Sequence, residues 1–154
     1  MMKSLCEQVL KTLQGRTLAT AESCTGGGIG AAITAVSGSS AVYKGGIVSY
    51  QNEIKRDLLG VSEKDLMELG PVSGPVAEQM AMGARKALQA DVAVSVTGLA
   101  GPGGDGYGNP VGTVYIGYAD AMSSCYDCYH FTGDRESVRT QAIKSALKKI
   151  VEKN

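Results

Sequence analysis

The sequence predicts an α/β domain in which helices cover both faces of a single sheet. Three observations carry that prediction. Short β-prone runs alternate with helical stripes, the pattern of a layered sandwich. Two of those runs feed straight into glycine-rich turns, at 22–28 and 98–106. Hydrophobic residues make up 44% of the chain and charged residues 19%, a balance that belongs to a globular protein with a core. A length of 154 residues suits one domain spanning 1–154.

Each element has its own warrant. Leu5, Val9, Leu10 and Leu13 recur at helical spacing in the opening segment. Thr17 to Ala21 reads as a short buried strand, and Ile29 to Val36 as the helix after the first glycine turn. Gly45 to Tyr50 is apolar and β-prone, with a helix following from about Glu53 to Leu59. Ser62, with Asp65 three residues on, marks the N-cap of a short helix. Ser73-Gly74-Pro75 opens a longer one, with Val76, Met80, Ala84, Ala87 and Leu88 as its inner face. Asp91 to Thr97 is a strand, and the loop after it is too rich in glycine to be regular structure. Val111 to Tyr118 and Ser124 to Phe131 are further strands. Asp134 caps the last helix, whose stripe is Ile143, Ala146, Leu147 and Ile150.

Several function classes fall away on composition. Fifteen basic and fifteen acidic residues cancel, so no nucleic-acid partner is expected. Lys144, Lys148, Lys149 and Lys153 read as the solvated face of an amphipathic helix. No apolar run approaches the ~20 residues that cross a bilayer, and the first residues lack a signal peptide's apolar stretch. No membrane partner and a cytoplasmic location are therefore expected. Four cysteines in a chain of this size suggest reduced thiols.

In such folds ligands collect beyond the carboxyl ends of parallel strands. Both glycine-rich turns sit at such ends, which predicts one site. Glu22-Ser23-Cys24-Thr25-Gly26-Gly27-Gly28 turns from strand into helix, where free N–H groups and the helix dipole attract anions. Gly26-x-Gly28-x-x-Ala31 loosely matches a dinucleotide fingerprint, but Gly46-Ile47-Val48-Ser49-Tyr50 stands where a ribose-binding acid should lie, which demotes dinucleotide oxidoreduction. In Ser49 to Lys55, an Asn52 cap would put Lys55 third in its helix, where a cation is disfavoured by ~0.3–1 kcal/mol. A neutral lysine can take a proton from a serine hydroxyl. Bringing its pKa to working pH costs roughly 4 kcal/mol, so burial is required. The 97–104 segment offers backbone donors for a phosphate or an oxyanion. Arg135 and Arg139 lie at helical spacing and could clamp an anion or pair on the surface. Cys125-x-x-Cys128-x-His130 splits its cysteines across two faces of a strand, so no metal is expected. His130, the only histidine, is given a structural role.

Taken together these segments resemble the CinA C-terminal domain family, which includes stand-alone nicotinamide mononucleotide deamidases. The resemblance runs through Ala21 to Gly27, Gly38-Ser39-Ser40, Gly45 to Lys55 and Val72-Ser73. It continues through Thr97 to Gly104, Pro110 to Val114 and Gly133-Asp134-Arg135. It implies a three-layer α/β/α sandwich on a mixed, mostly parallel sheet of about five strands, usually a homodimer. It also implies hydrolysis of nicotinamide mononucleotide to nicotinate mononucleotide and ammonia, with no cofactor. Residue chemistry and resemblance together make Ser23 the nucleophile, Lys55 its base and Tyr50 a group that relays or steadies the proton. Cys24 is the rival nucleophile, since a helix start lowers a thiol pKa. The candidate substrate-binding residues are Thr25, Gly26, Gly27, Gly46, Asn52, Thr97, Gly98, Gly101, Gly103, Gly104, Arg135 and Arg139. The segment 105–109, Asp-Gly-Tyr-Gly-Asn, departs from a charged stretch in many relatives. A non-catalytic nucleotide-binding or interaction module is the competing expectation.

Overall fold

The computed structural model describes residues 1–154. The order is α1 (Met2–Thr12), β1 (Leu18–Glu22), α2 (Gly28–Thr34), a 3-10 turn (Ser39–Ala41) and β2 (Tyr43–Val48). Then come α3 (Asn52–Leu59), α4 (Glu63–Glu68), α5 (Gly74–Leu88), β3 (Val92–Gly98), β4 (Thr113–Ala119), β5 (Ser124–His130) and α6 (Arg135–Lys153).

The sheet runs β2-β1-β3-β4-β5. β1 pairs in parallel with β2 and β3, while β3–β4 and β4–β5 are antiparallel. Four strands therefore point one way and only β4 is reversed, a mixed and mostly parallel sheet. Helical crossovers deliver the parallel strands. The β4–β5 hairpin is closed by Asp120, whose carboxylate accepts the N–H groups of Met122 and Ser123. The carboxyl ends of β1, β2 and β3 consequently meet at one edge, and the turns that follow them are neighbours.

One face carries α1, α2 and α6, packed through Val9, Leu13, Ile29, Ile33, Leu147 and Ile150 onto Val94, Val96 and Ile116. The other carries α3, α4 and α5, with Leu59, Leu66, Val76 and Met80 against Ala19, Ala21 and Ala93. The strand residues facing α5 are small, so that helix lies close. A Cβ on Gly117 would overlap the Ala77 carbonyl of α5. Asp134 accepts the Ser137 N–H at 2.9 Å and Ser62 that of Asp65 at 3.2 Å, so both expected caps are present.

Three expectations change. Asn52 is the first residue of α3 rather than its cap, and Gln51 precedes it without a side-chain cap. Ala87 is exposed, because α5 turns Ala77 and Ala81 inward instead. Lys149 is 6% exposed and paired with Asp127: helix α6 lies against β5 there, so the lysine is covered. His130 ends β5 exposed, with Nδ1 3.4 Å from Thr113 Oγ1. Cys125 packs against the core and Cys128 is exposed, and all four cysteines are free thiols. No helix is long and apolar enough to cross a membrane.

Candidate active site

Ser23 is the first residue beyond β1, and its N–H still donates to Val96 O at 3.0 Å, which fixes it at the sheet edge. The chain then turns through Gly26 (φ 59°) and Gly27 (φ 101°), conformations that L side chains resist. Lys55 reaches Ser23 from the first turn of α3. It is 1% exposed, with Nζ 3.1 Å from Ser23 Oγ, 2.8 Å from Ser49 O and 3.2 Å from Tyr50 O. Burial pushes its pKa down from 10.5 to about 8.

That environment does something specific to a proton. As an ammonium, Lys55 donates to all three oxygens. As a neutral amine it has two N–H groups, which the two carbonyls take, and one lone pair left for the Ser23 hydroxyl. The pair opens on a cleft of about 450 Å³ lined also by Tyr50, Asn52, Thr97, Gly98, Gly101, Gly103 and Arg135. No carboxylate lines it, and Lys55 and Arg135 are its cations. The site thus favours an anionic ligand. The backbone N–H groups of Cys24, Ala100, Gly101 and Gly103 donate to no carbonyl of the protein. They are donors available to an oxyanion.

The structure brings Ser23, Tyr50, Lys55, Asn52, Thr97, Gly98, Gly101, Gly103 and Arg135 to that cleft, and leaves the remaining predicted residues outside it. Thr25 is fully buried, and its hydroxyl donates to Glu22 Oε1 at 2.6 Å. Gly26 and Gly27 shape the turn. The amides at the start of α2 are filled from inside, since Glu22 accepts Ile29 N–H at 2.8 Å and Gly30 N–H at 3.0 Å. An internal carboxylate therefore occupies the place that the glycine pattern assigned to a ligand. Gly46 is a packing glycine, where a Cβ would overlap Thr20 Oγ1. Gly104 lies beyond the cleft wall. Arg139 donates to the carbonyls of Cys24 and Thr25 at 3.0 and 3.1 Å, buttressing the turn rather than facing a ligand. Arg135 donates to Gly101 O at 2.8 Å, with its other terminal nitrogen 3.4 Å from Tyr50 Oη.

Two assigned roles also shift. The Tyr50 side chain is exposed, and its hydroxyl bonds to neither Ser23 nor Lys55; the Tyr50 carbonyl is what meets the lysine. Burial raises the Cys24 thiol from 9.0 to about 11, outweighing its own backbone N–H and Arg139, so it stays protonated at neutral pH. The helix start does not activate it. Sequence reasoning missed Pro71, Val72, Leu99, Ala100 and Pro102 as lining residues. They carry no reactive group, and only the fold brings 71–72 beside 97–103. It also passed over Glu22, for which an acid closing a strand before a glycine turn was the available signal.

The geometry has close counterparts. A model of the CinA C-terminal domain matches residues 2–153. The chain is 46% identical over 151 residues to the nicotinamide-nucleotide amidohydrolase PncC of Escherichia coli, covering 95% of this chain and 90% of that protein. It is 47% identical over 137 residues to a CinA-like protein of Rippkaea orientalis, covering 87% of this chain but only 33% of that longer relative. Among solved structures, a competence-damaged protein (CinA) superfamily protein of Escherichia coli matches with a TM-score of 0.97 at 33% identity. That match covers 100% of this chain and 91% of the other. The competence/damage inducible protein CihA of Agrobacterium tumefaciens matches with a TM-score of 0.94 at 37% identity, over 98% and 94% of the two chains.

Proposed function

The chain belongs to the CinA C-terminal domain family, and on that premise we propose that it hydrolyses the carboxamide of nicotinamide mononucleotide to nicotinate mononucleotide and ammonia. The observation that carries the proposal is the Ser23–Lys55 pair, 3.1 Å apart at the floor of an acid-free cleft. The amidohydrolase name of the Escherichia coli relative supplies the substrate.

The reaction is an acyl transfer to serine. Neutral Lys55 accepts the Ser23 proton as Oγ attacks the carboxamide carbon. The carbonyl oxygen becomes an oxyanion, held by backbone N–H groups of Cys24 and of the 100–103 loop. Lys55 returns the proton to the departing nitrogen, the C–N bond breaks and ammonia leaves. Water, deprotonated by the same lysine, then attacks the acyl-serine ester; the bond to Ser23 Oγ breaks, Lys55 returns the proton to that oxygen, and nicotinate mononucleotide leaves. The Ser49 and Tyr50 carbonyls keep the lysine aimed through both halves. Arg135 holds the phosphate, with Asn52 and the Tyr50 ring on the ribose side. The product belongs to pyridine nucleotide salvage, and no cofactor takes part.

The test is ammonia release from nicotinamide mononucleotide. Turnover is expected in the wild type and in Cys24→Ala, and its loss in folded Ser23→Ala and Lys55→Ala. Loss on Cys24→Ala with Ser23→Ala intact would exchange the nucleophile. A folded wild type that releases no ammonia leaves the binding-module function instead.

A further inference from the structure

Glu22 closes β1 and directly precedes Ser23. It is 2% exposed, lines no part of the cleft and forms no salt bridge. Its carboxylate is instead satisfied by three neutral donors: the Thr25 hydroxyl, Ile29 N–H and Gly30 N–H. These fasten the far end of the glycine turn back onto the strand that begins it. The Glu22 carbonyl accepts Ser49 N–H at 2.8 Å, and the Ser49 carbonyl in turn accepts Lys55 at 2.8 Å. One residue thus grips the segment that bears the serine and the segment that aims the lysine.

The turn needs such a grip. Two adjacent glycines at positive φ give residues 23–27 little stiffness of their own. The side chain of Glu22 holds that turn from the sheet side, through the Thr25 hydroxyl and the Ile29 and Gly30 amides. We infer that Glu22 is a positioning residue for the amide hydrolysis: it keeps Ser23 Oγ within hydrogen-bond distance of Lys55 Nζ without touching the substrate. The inference rests on the assignment of Ser23 and Lys55 as nucleophile and base. It predicts that damage at Glu22 falls on chemistry and leaves substrate affinity alone.

Two substitutions separate this from a plain stabilising cap. Glu22→Gln keeps the shape but turns an NH2 group towards an N–H donor, two donors facing each other. Thr25→Val keeps the shape of Thr25 and removes one donor from Glu22. Both are compared with wild type for kcat and KM in ammonia release, and for the rate at which a fluorophosphonate labels Ser23, with Ser23→Ala as the blank. Thermal melts confirm that each protein is folded at the assay temperature. Expected is a fall in kcat of about 10²-fold for Glu22→Gln and about tenfold for Thr25→Val, since small misplacements of reacting groups cost that much. KM should stay within about twofold, and labelling should slow in step with kcat.

Near-wild-type kcat in both folded variants would overturn the inference. So would a rise in KM that accounts for the whole loss, since that would make Glu22 part of substrate binding. If Glu22→Gln does not fold, Thr25→Val decides alone. A wild type that takes the label but releases no ammonia defeats the substrate proposal, and the labelling rates then decide the positioning role. A wild type that does neither overturns both.

Discussion

A lysine can serve as a base only if its remaining protons have somewhere to go. At Lys55 the carbonyls of Ser49 and Tyr50 provide that, and burial brings the pKa from 10.5 to about 8. If, as proposed, the neutral form is the reactive one, kcat/KM should rise about tenfold per pH unit below about 8 and level off above it. A flat profile between pH 6 and 9 would exclude Lys55 as the base. The same depression has a thermodynamic signature of definite sign. Below about pH 8 the lysine is charged in both native and unfolded chains, and burying that charge costs roughly 3 kcal/mol. Between about 8 and 10.5 the native protein has released a proton that the unfolded chain still holds, so stability rises with pH there. Wild type should therefore gain on Lys55→Met by roughly 3 kcal/mol across that window in urea unfolding. No gain would mean that the native pKa is not depressed.

At the scale of elements, the position of Lys55 depends on where α3 lies, and a glycine sets that. Gly83 of α5 packs against the last turn of α3 so closely that a Cβ would overlap the Leu59 carbonyl. Gly83→Ala must push α3 outward, costing about 1–3 kcal/mol, and the shift should carry Lys55 away from Ser23. Thermal melts should show the lost stability and kcat should fall in the protein that remains folded. A destabilised variant with wild-type kcat would show that α3 bends instead of moving. Such contacts mark what a sequence conceals. All twelve elements except the 3-10 turn and their order were legible, because stripes, caps and β-prone runs are local signals. Ser23, Lys55 and the 97–103 loop were legible too, since serine, lysine and glycine carry their chemistry by name. The inversion at α2 was not, because only the folded turn shows that Glu22 reaches the amides of Ile29 and Gly30. Arg139 read the same as Arg135 until helix α6 placed one against the carbonyls of Cys24 and Thr25 and the other at the cleft.

For the molecule as a whole, the cleft has no owner among the elements. It takes Ser23 from the end of β1, Lys55 from α3, donors from the loop after β3 and Arg135 from α6. These lie as much as 112 residues apart in sequence (from Ser23 to Arg135), so the unfolded chain holds no partial site. A ligand of the cleft must then bind the native state alone and stabilise every layer at once. Ser23→Ala offers a clean measurement, because it keeps the cleft and, on the proposed mechanism, stops turnover. At nicotinamide mononucleotide concentrations 100-fold above the calorimetric Kd, linkage gives about 2.7 kcal/mol. For a domain of this size that is a Tm increase of roughly 5–10 °C. The shift should shrink in Ser23→Ala/Arg135→Ala at the same ligand concentration, since one of the cleft's two cations is gone. In Ser23→Ala/Arg139→Ala the Tm without ligand should fall instead, because that arginine buttresses the turn, while the increment from ligand persists. An equal increment in all three proteins would remove Arg135 from phosphate binding and leave the loop amides to hold the anion.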